Sequence, residues 1–198
     1  MSKKTEAKIT TKKETSSAAQ IDKKYVAFLR GINVGGNVLI KMAELQKTFE
    51  SAGFRNVKTL IASGNVIFET TKKEPDTKLT QNIQAALKKR FNRDIGVMVR
   101  SIQEIQKIAE TNPFKGIKIA PGIKLYVTFR GESKKSNLKI PYEFPDKTTR
   151  IIKVSDGEVF SVLQVTGKST DFMKIMEKEF GKKITTRNWN TIEKILKM

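Results

Sequence analysis

Residues 55–70 read RNVKTLIASGNVIFET: two strand-like runs, 55–62 and 65–70, on either side of Ser63-Gly64. A serine-glycine pair between two β-rich runs marks a hairpin, because glycine takes the positive φ that reverses the chain without steric cost. Working back from this hairpin, Met42, Leu45, Phe49 and Ala52 recur at helical spacing and Gly53 ends the helix. Before that helix stands KYVAFLR at 24–30, a β-branched and aromatic strand. Working forward, Leu79, Ile83, Leu87 and Phe91 define a second amphipathic helix, and IGVMVR at 95–100 a fourth strand. The order is β-α-β-β-α-β in under 80 residues, the split βαβ plan of a ferredoxin-like α/β plait.

The second half repeats the plan with one change. Ser101 and Glu104 make a capping box ahead of a helix carrying Ile102, Ile105 and Ile108, which Asn112-Pro113 ends. Strands follow at 123–130, 149–155 and 158–165, the last two joined by Asp156-Gly157. Phe172, Ile175, Met176 and Phe180 mark a helix closed by Gly181, a strand follows at 183–186, and Trp189, Ile192, Ile195 and Leu196 mark a last helix. Residues 131–148, interrupted by lysines and prolines, stand where the first helix of this repeat belongs. The expected fold is α+β: two tandem ferredoxin-like subdomains with antiparallel sheets, over 24–100 and 101–198, plus a C-terminal helix. Residues 1–23 read as a disordered basic tail.

Tyr25, Ala27 and Leu29 alternate with Val26 and Phe28, and Val66 and Phe68 flank Ile67, so both faces of the first sheet are apolar. Two helices cover only one face of such a sheet. The other needs the second sheet or a second copy of the chain against it, which makes a homodimer one expectation. Tyr126 and Phe160 are an aromatic pair whose first expected role is core.

The chain has 198 residues, with 39 basic side chains, 20 acidic ones and no histidine, for a net charge of +19. Residues 1–24 hold seven lysines against Glu6, Glu14 and Asp22, so +15 of that charge lies beyond them. Such a field draws polyanions, although a lysine-rich composition also serves simply as a solvated surface. Without cysteine or histidine there are no disulfides, thiol nucleophiles, imidazole mechanisms or Cys/His metal sites. No motif for a cofactor appears. No apolar run approaches a membrane span, and residues 1–22 lack the apolar stretch of an export signal, so a cytoplasmic location without a membrane partner is expected.

One segment stands out chemically. Arg30-Gly31-Ile32-Asn33-Val34-Gly35-Gly36-Asn37 joins a strand to a helix that Lys41 opens. Glycines and asparagines there allow positive φ and expose backbone N–H groups, and with a helix N-terminus and two cations they make an anion cradle. The segment lacks both the nucleotide-binding P-loop ending and the GxGxxG spacing. In an antiparallel plait the end of the first strand lies beside the starts of the third and fourth. Asn33, Asn37, Ser63 and Asn65, with Arg93-Asp94 nearby, are therefore expected around an anion held by Arg30. Asparagine and serine also satisfy their own turn backbones.

A second segment is Thr185-Thr186-Arg187-Asn188-Trp189-Asn190-Thr191. Asn188 can cap the last helix and Trp189 can anchor it. Alternatively, Arg187, Asn188 and Asn190 face a ligand with Trp189 as a stacking wall. The sequence does not place this segment near the glycine-rich loop. The RNA-recognition signature is missing, since the corresponding strand is NVIFET.

RGINVGGN followed by KMAEL, then LIASGNVIF, then NPF at 112–114, then TTRNWNT with its closing helix resemble the domain of unknown function 1697 family of bacterial proteins. The resemblance covers about residues 24–198 and implies two ferredoxin-like subdomains. It brings no activity. The matching positions are Arg30, Gly31, Asn33, Gly35, Gly36, Ser63, Gly64, Asn65, Arg187, Asn188, Trp189 and Asn190. The sequence departs from the family in its basic tail, its large positive charge and its short connection at 131–148. The functional expectation is a binder of a phosphate-bearing ligand, either nucleic acid or a phosphorylated small molecule. An enzyme on a small phosphorylated or nucleotide-like substrate, with Glu44 or Asp94 as base, is one alternative. An interaction module without a ligand is the other.

Overall fold

The computed structural model describes residues 22–33, 39–72, 74–132, 136–145, 147–165 and 172–198. The expected tail falls almost wholly outside these residues, as do Val34, Gly35, Gly36, Asn37 and Val38.

The first plait forms in the expected order. Strand β1 (Lys23–Leu29) leads to α1 (Met42–Ser51), then β2 (Arg55–Leu60), β3 (Asn65–Thr70), α2 (Asp76–Phe91) and β4 (Val97–Ser101). The sheet order is β2-β3-β1-β4, antiparallel throughout. The hairpin link is longer than a tight turn. β2 ends at Leu60, which pairs with Asn65, and residues 61–64 join the strands with Ile61 and Gly64 at φ 51° and 79°.

The second half adds α3 (Ile102–Glu110), β5 (Ile123–Arg130), β6 (Tyr142–Glu143), β7 (Thr149–Val154), β8 (Glu158–Gln164), α4 (Phe172–Phe180), β9 (Ile184–Asn188) and α5 (Trp189–Leu196). The capping box opens α3: Ser101 N donates to Glu104 Oε2 at 2.7 Å and Glu104 N to Ser101 Oγ at 3.2 Å. The second sheet runs β6-β7-β8-β5-β9. Without β6 this is the strand order of the first sheet, so the topology repeats where the residues do not. The 131–148 connection supplies the short strand β6 in place of a helix.

Three apolar layers result. Beneath the first sheet, α1 and α2 bury Leu45, Phe49, Leu79, Ile83 and Leu87 against Ala27, Leu29, Val66 and Phe68. The opposite face, carrying Val26, Phe28 and Ile67, meets Val127, Phe129 and Phe160 of the second sheet, with Ile105 of α3 and Ile192 and Ile195 of α5 alongside. Phe28 and Phe129 stack with ring centroids 4.4 Å apart. Fully burying side chains of this kind contributes about 1.5–3 kcal/mol each, which is why the open face of the first sheet is covered within the chain. On the far face of the second sheet α4 packs Met176 and Phe180 onto Ile151, Val159 and Ile184, with Leu138, Tyr142 and Phe144 of the connection beside them. Tyr126 belongs to this layer, near Phe172, whereas Phe160 lies on the other face beside Trp189. The two aromatics therefore share no face. Among the described residues no helix is long and apolar enough to cross a membrane.

Candidate functional site

Residues at the C-terminal end of β1 bond to both neighbouring strands. Leu29 N donates to Gly64 O and Arg30 N to Gly96 O, each at 2.8 Å. The glycine-rich loop thus leaves the sheet between the 61–64 link and the start of β4, where the plait topology puts it. Asp94 turns elsewhere, pairing with Lys88 at 2.9 Å.

The loop is closed at its base. Asn33, at φ 54°, accepts from Ile40 N through Oδ1 at 2.8 Å and returns a bond from Nδ2 to Ile40 O at 2.9 Å. The same Nδ2 donates to Ala62 O at 2.9 Å. A single side-chain amide therefore joins the two ends of the loop and ties them to the hairpin link. Asparagine suits the position because it tolerates left-handed backbone and carries both donor and acceptor. Ile32 packs inward, almost fully buried. Lys41 follows as the exposed N-cap residue of α1, in extended conformation and without a capping side-chain bond. The first N–H groups of a helix have no intrahelical partner, so this end of α1 carries its donors beside the loop. Glu44 in the first turn faces Arg90 at 3.4 Å.

Arg30 takes another direction. Its guanidinium donates to the Glu177 carboxylate on α4 and to Lys182 O, binding the end of β1 to the second plait.

Arg187 ties the second sequence segment to the end of β1 and to the hairpin link. From β9 its Nε donates to Asn65 Oδ1 at 2.6 Å and Nη2 to Leu29 O at 2.6 Å and Gly64 O at 3.3 Å. Nη1 donates to Thr185 Oγ1 and Thr186 O, both at 2.8 Å. The guanidinium lies 5.4 Å from the centre of the Phe28 ring. Burial pulls its pKa down to about 10, and no carboxylate pairs with it among the described ion pairs. Oxygen dipoles hold the cation instead. Asn65 is fully buried and also donates to Leu60 O at 2.9 Å and, more weakly, to Ser63 Oγ at 3.4 Å. Asn188 caps α5 by accepting from Asn190 N at 2.9 Å, and Asn190 itself is exposed. Trp189 is buried edge-on to Phe114 with centroids 5.1 Å apart.

Sequence reasoning missed a cleft of about 610 Å³ between the plaits. Its walls carry Arg30, Arg100, Arg130, Lys182 and Lys183 against Asp76, Glu132 and Asp156. Arg100 Nη2 donates to Arg130 O at 3.1 Å, and its Nε lies 3.8 Å from Glu158. Arg130 Nη1 donates to Ser155 O at 3.0 Å. Burial, and then the nearby Glu104 charge, raise the pKa of Asp76, while Arg100 and Lys23 oppose the shift. The one available signal was arginine set within or at the end of strand-like runs, as in VMVR and VTFR, where a charge among β-branched and aromatic residues has to find a partner.

A family model described as "Protein of unknown function (DUF1697)" matches residues 23–160. Among solved structures, a conserved bacterial protein from Streptococcus pneumoniae is similar, with a TM-score of 0.66 and 22% identity over 90% of this chain and 100% of that one. At that identity the likeness shows the fold. No curated protein matches the chain.

Proposed function

The chain belongs to the DUF1697 family of proteins of unknown function, and from that premise we propose that it binds a phosphate-bearing ligand at the glycine-rich loop and the start of α1. The observation that carries this reading is the Asn33–Ile40 closure, which fixes both ends of the loop beside a helix N-terminus without a capping side chain. Helix N–H groups and glycine-rich turns are general anion seats. Lys41 supplies the adjacent cation, since Arg30 is engaged with Glu177. Gly31, Gly35, Gly36 and Asn37 provide the loop backbone, and Ser63 stands at the neighbouring link. The net charge of +19 favours either a nucleotide-like molecule or a nucleic-acid phosphate chain.

The test is a titration of the full chain with ATP and, separately, with a fluorescein-labelled single-stranded oligonucleotide at several salt concentrations. Saturable binding that weakens with salt and falls about tenfold in Lys41→Glu agrees with the reading. Binding unaffected by Lys41→Glu, or no salt-dependent binding to either probe, overturns it. Turnover of ATP would move the reading to an enzyme on a phosphorylated substrate.

A different observation favours an interaction module for the second segment. Arg187 and Trp189 both point into the molecule: Arg187 joins its halves, and Trp189 packs against Phe114 and Phe160 within the second. Asn188 caps a helix, which leaves Asn190 as the exposed member of that segment. On this reading the segment is assembly hardware, and ligand contact belongs to the loop alone.

A further inference from the structure

Two arginines from the first plait cross the inter-plait cleft in the same way. Arg30 follows β1 and donates to Lys182 O and to the Glu177 carboxylate. Arg100, near the end of β4, donates to Arg130 O at 3.1 Å and lies 3.8 Å from Glu158. Each reaches one carbonyl and one carboxylate of the second plait, so the walls are fixed to each other before any ligand arrives.

Charge within the cleft balances. Arg30, Arg100, Arg130, Lys182 and Lys183 are matched in number by Asp76, Glu132 and Asp156 on the walls and by Glu177 and Glu158 behind them. In a chain of net charge +19 this hollow is neutral, and a polyanion gains nothing by preferring it.

The helical wall is uncharged as well. After Asp76 at the first position of α2, the residues of that helix that meet the cleft are Thr77, Thr80, Gln81 and Gln84. Their spacing puts them on one helical face, whereas other positions of the same helix carry Lys78, Lys88, Lys89 and Arg90. None of the four side chains has a hydrogen-bond partner among the described residues. Each holds both a donor and an acceptor. Apolar surface stands beside them: Met98 is half-buried, and the fully buried Phe28 and Ile184 lie deeper.

A fitting ligand has no net charge, an apolar face, and an edge that donates and accepts. The cleft volume of about 610 Å³ suits a small molecule. A glutamine carboxamide sets a donor and an acceptor side by side in one plane, the pattern that pairs with the edge of a nucleobase. We infer that the cleft binds an uncharged nucleoside, with the base edge on Gln81 and Gln84 and the ring face toward Met98. The glycine-rich loop takes no part in this site, so the inference stands whether or not the loop binds phosphate.

The probes are adenosine, guanosine, cytidine and uridine, each titrated into the isotope-labelled full chain, with glucose as the control. NMR follows the side-chain amide signals of Gln81 and Gln84. At least one nucleoside should shift both signals saturably, with an affinity that changes less than about twofold between low and high salt. Gln81→Ala with Gln84→Ala should weaken that binding at least about tenfold, and alanine keeps the helix intact. Lys41→Glu should leave it unchanged. No saturable shift with any nucleoside overturns the inference, and so does an equal response to glucose. Affinity unchanged in the double variant, or lost at high salt, overturns it too. Binding lost in Lys41→Glu would move the nucleoside to the loop and also overturn it.

Discussion

Arg187 Nε donates to Asn65 Oδ1 at 2.6 Å across 122 positions of sequence. Through this contact the last strand of the second plait holds the hairpin of the first. All five N–H groups of the guanidinium have an acceptor close by, an arrangement only the arginine fork supplies.

Arg187→Lys should therefore destabilise the fold by about 2–4 kcal/mol, because an ammonium with three donors leaves buried acceptors unmet. A urea titration reads this as a lower midpoint. A midpoint unchanged from wild type would mean that the node contributes little.

Two glycines with similar φ separate strain from space. At Gly64, φ 79°, an added Cβ would come within 2.8 Å of the Ile32 side chain and 2.9 Å of Leu29 Cβ. At Gly31, φ 69°, it would meet nothing within 4 Å. Gly31→Ala should cost about 1 kcal/mol for left-handed backbone alone, and Gly64→Ala about 2–3 kcal/mol for backbone and clash together. Chemical denaturation of both variants checks the order.

Arg30 and Glu177 are each partly exposed, at 37% and 29% of the side chain. A double-mutant cycle with Arg30→Ala and Glu177→Ala should give a coupling of at most about 1 kcal/mol, smaller in high salt. Arg30→Ala alone should cost more than Glu177→Ala, because it also abandons Lys182 O.

Asp76 has a raised pKa, set first by burial and then by Glu104. A carboxyl raised in the folded state binds its proton more tightly there than in the unfolded chain. Its contribution to stability therefore falls as pH rises from the ordinary aspartate range through the folded pKa. Asp76→Asn should remove that slope, raising Tm at neutral pH relative to wild type and converging with it at pH values where both residues are uncharged. Thermal melts across an acid-to-neutral series give the comparison.

The turns and periodicities that define the plaits are local, and they were legible. Ser63-Gly64, Asp156-Gly157 and the spacing of Leu79, Ile83 and Leu87 each act within a few residues. The greasy second face of the first sheet could also be read, from Val26, Phe28 and Ile67, and so could the need to cover it. β6 could not, because two residues carry no period. The approach of Arg187 to the end of β1 and the hairpin link was equally hidden. It depends on Arg187 reaching carbonyls of another plait, and no local pattern says which distant oxygen a buried cation will find.

The Asn33 closure has a consequence for how this protein can change. With residues 33 and 40 stitched to each other, the stretch between can lengthen, shorten or swap residues while β1 before it and α1 after it keep their places. Comparing relatives at that stretch, with the stitch held constant, would reveal what each one has been selected to grasp.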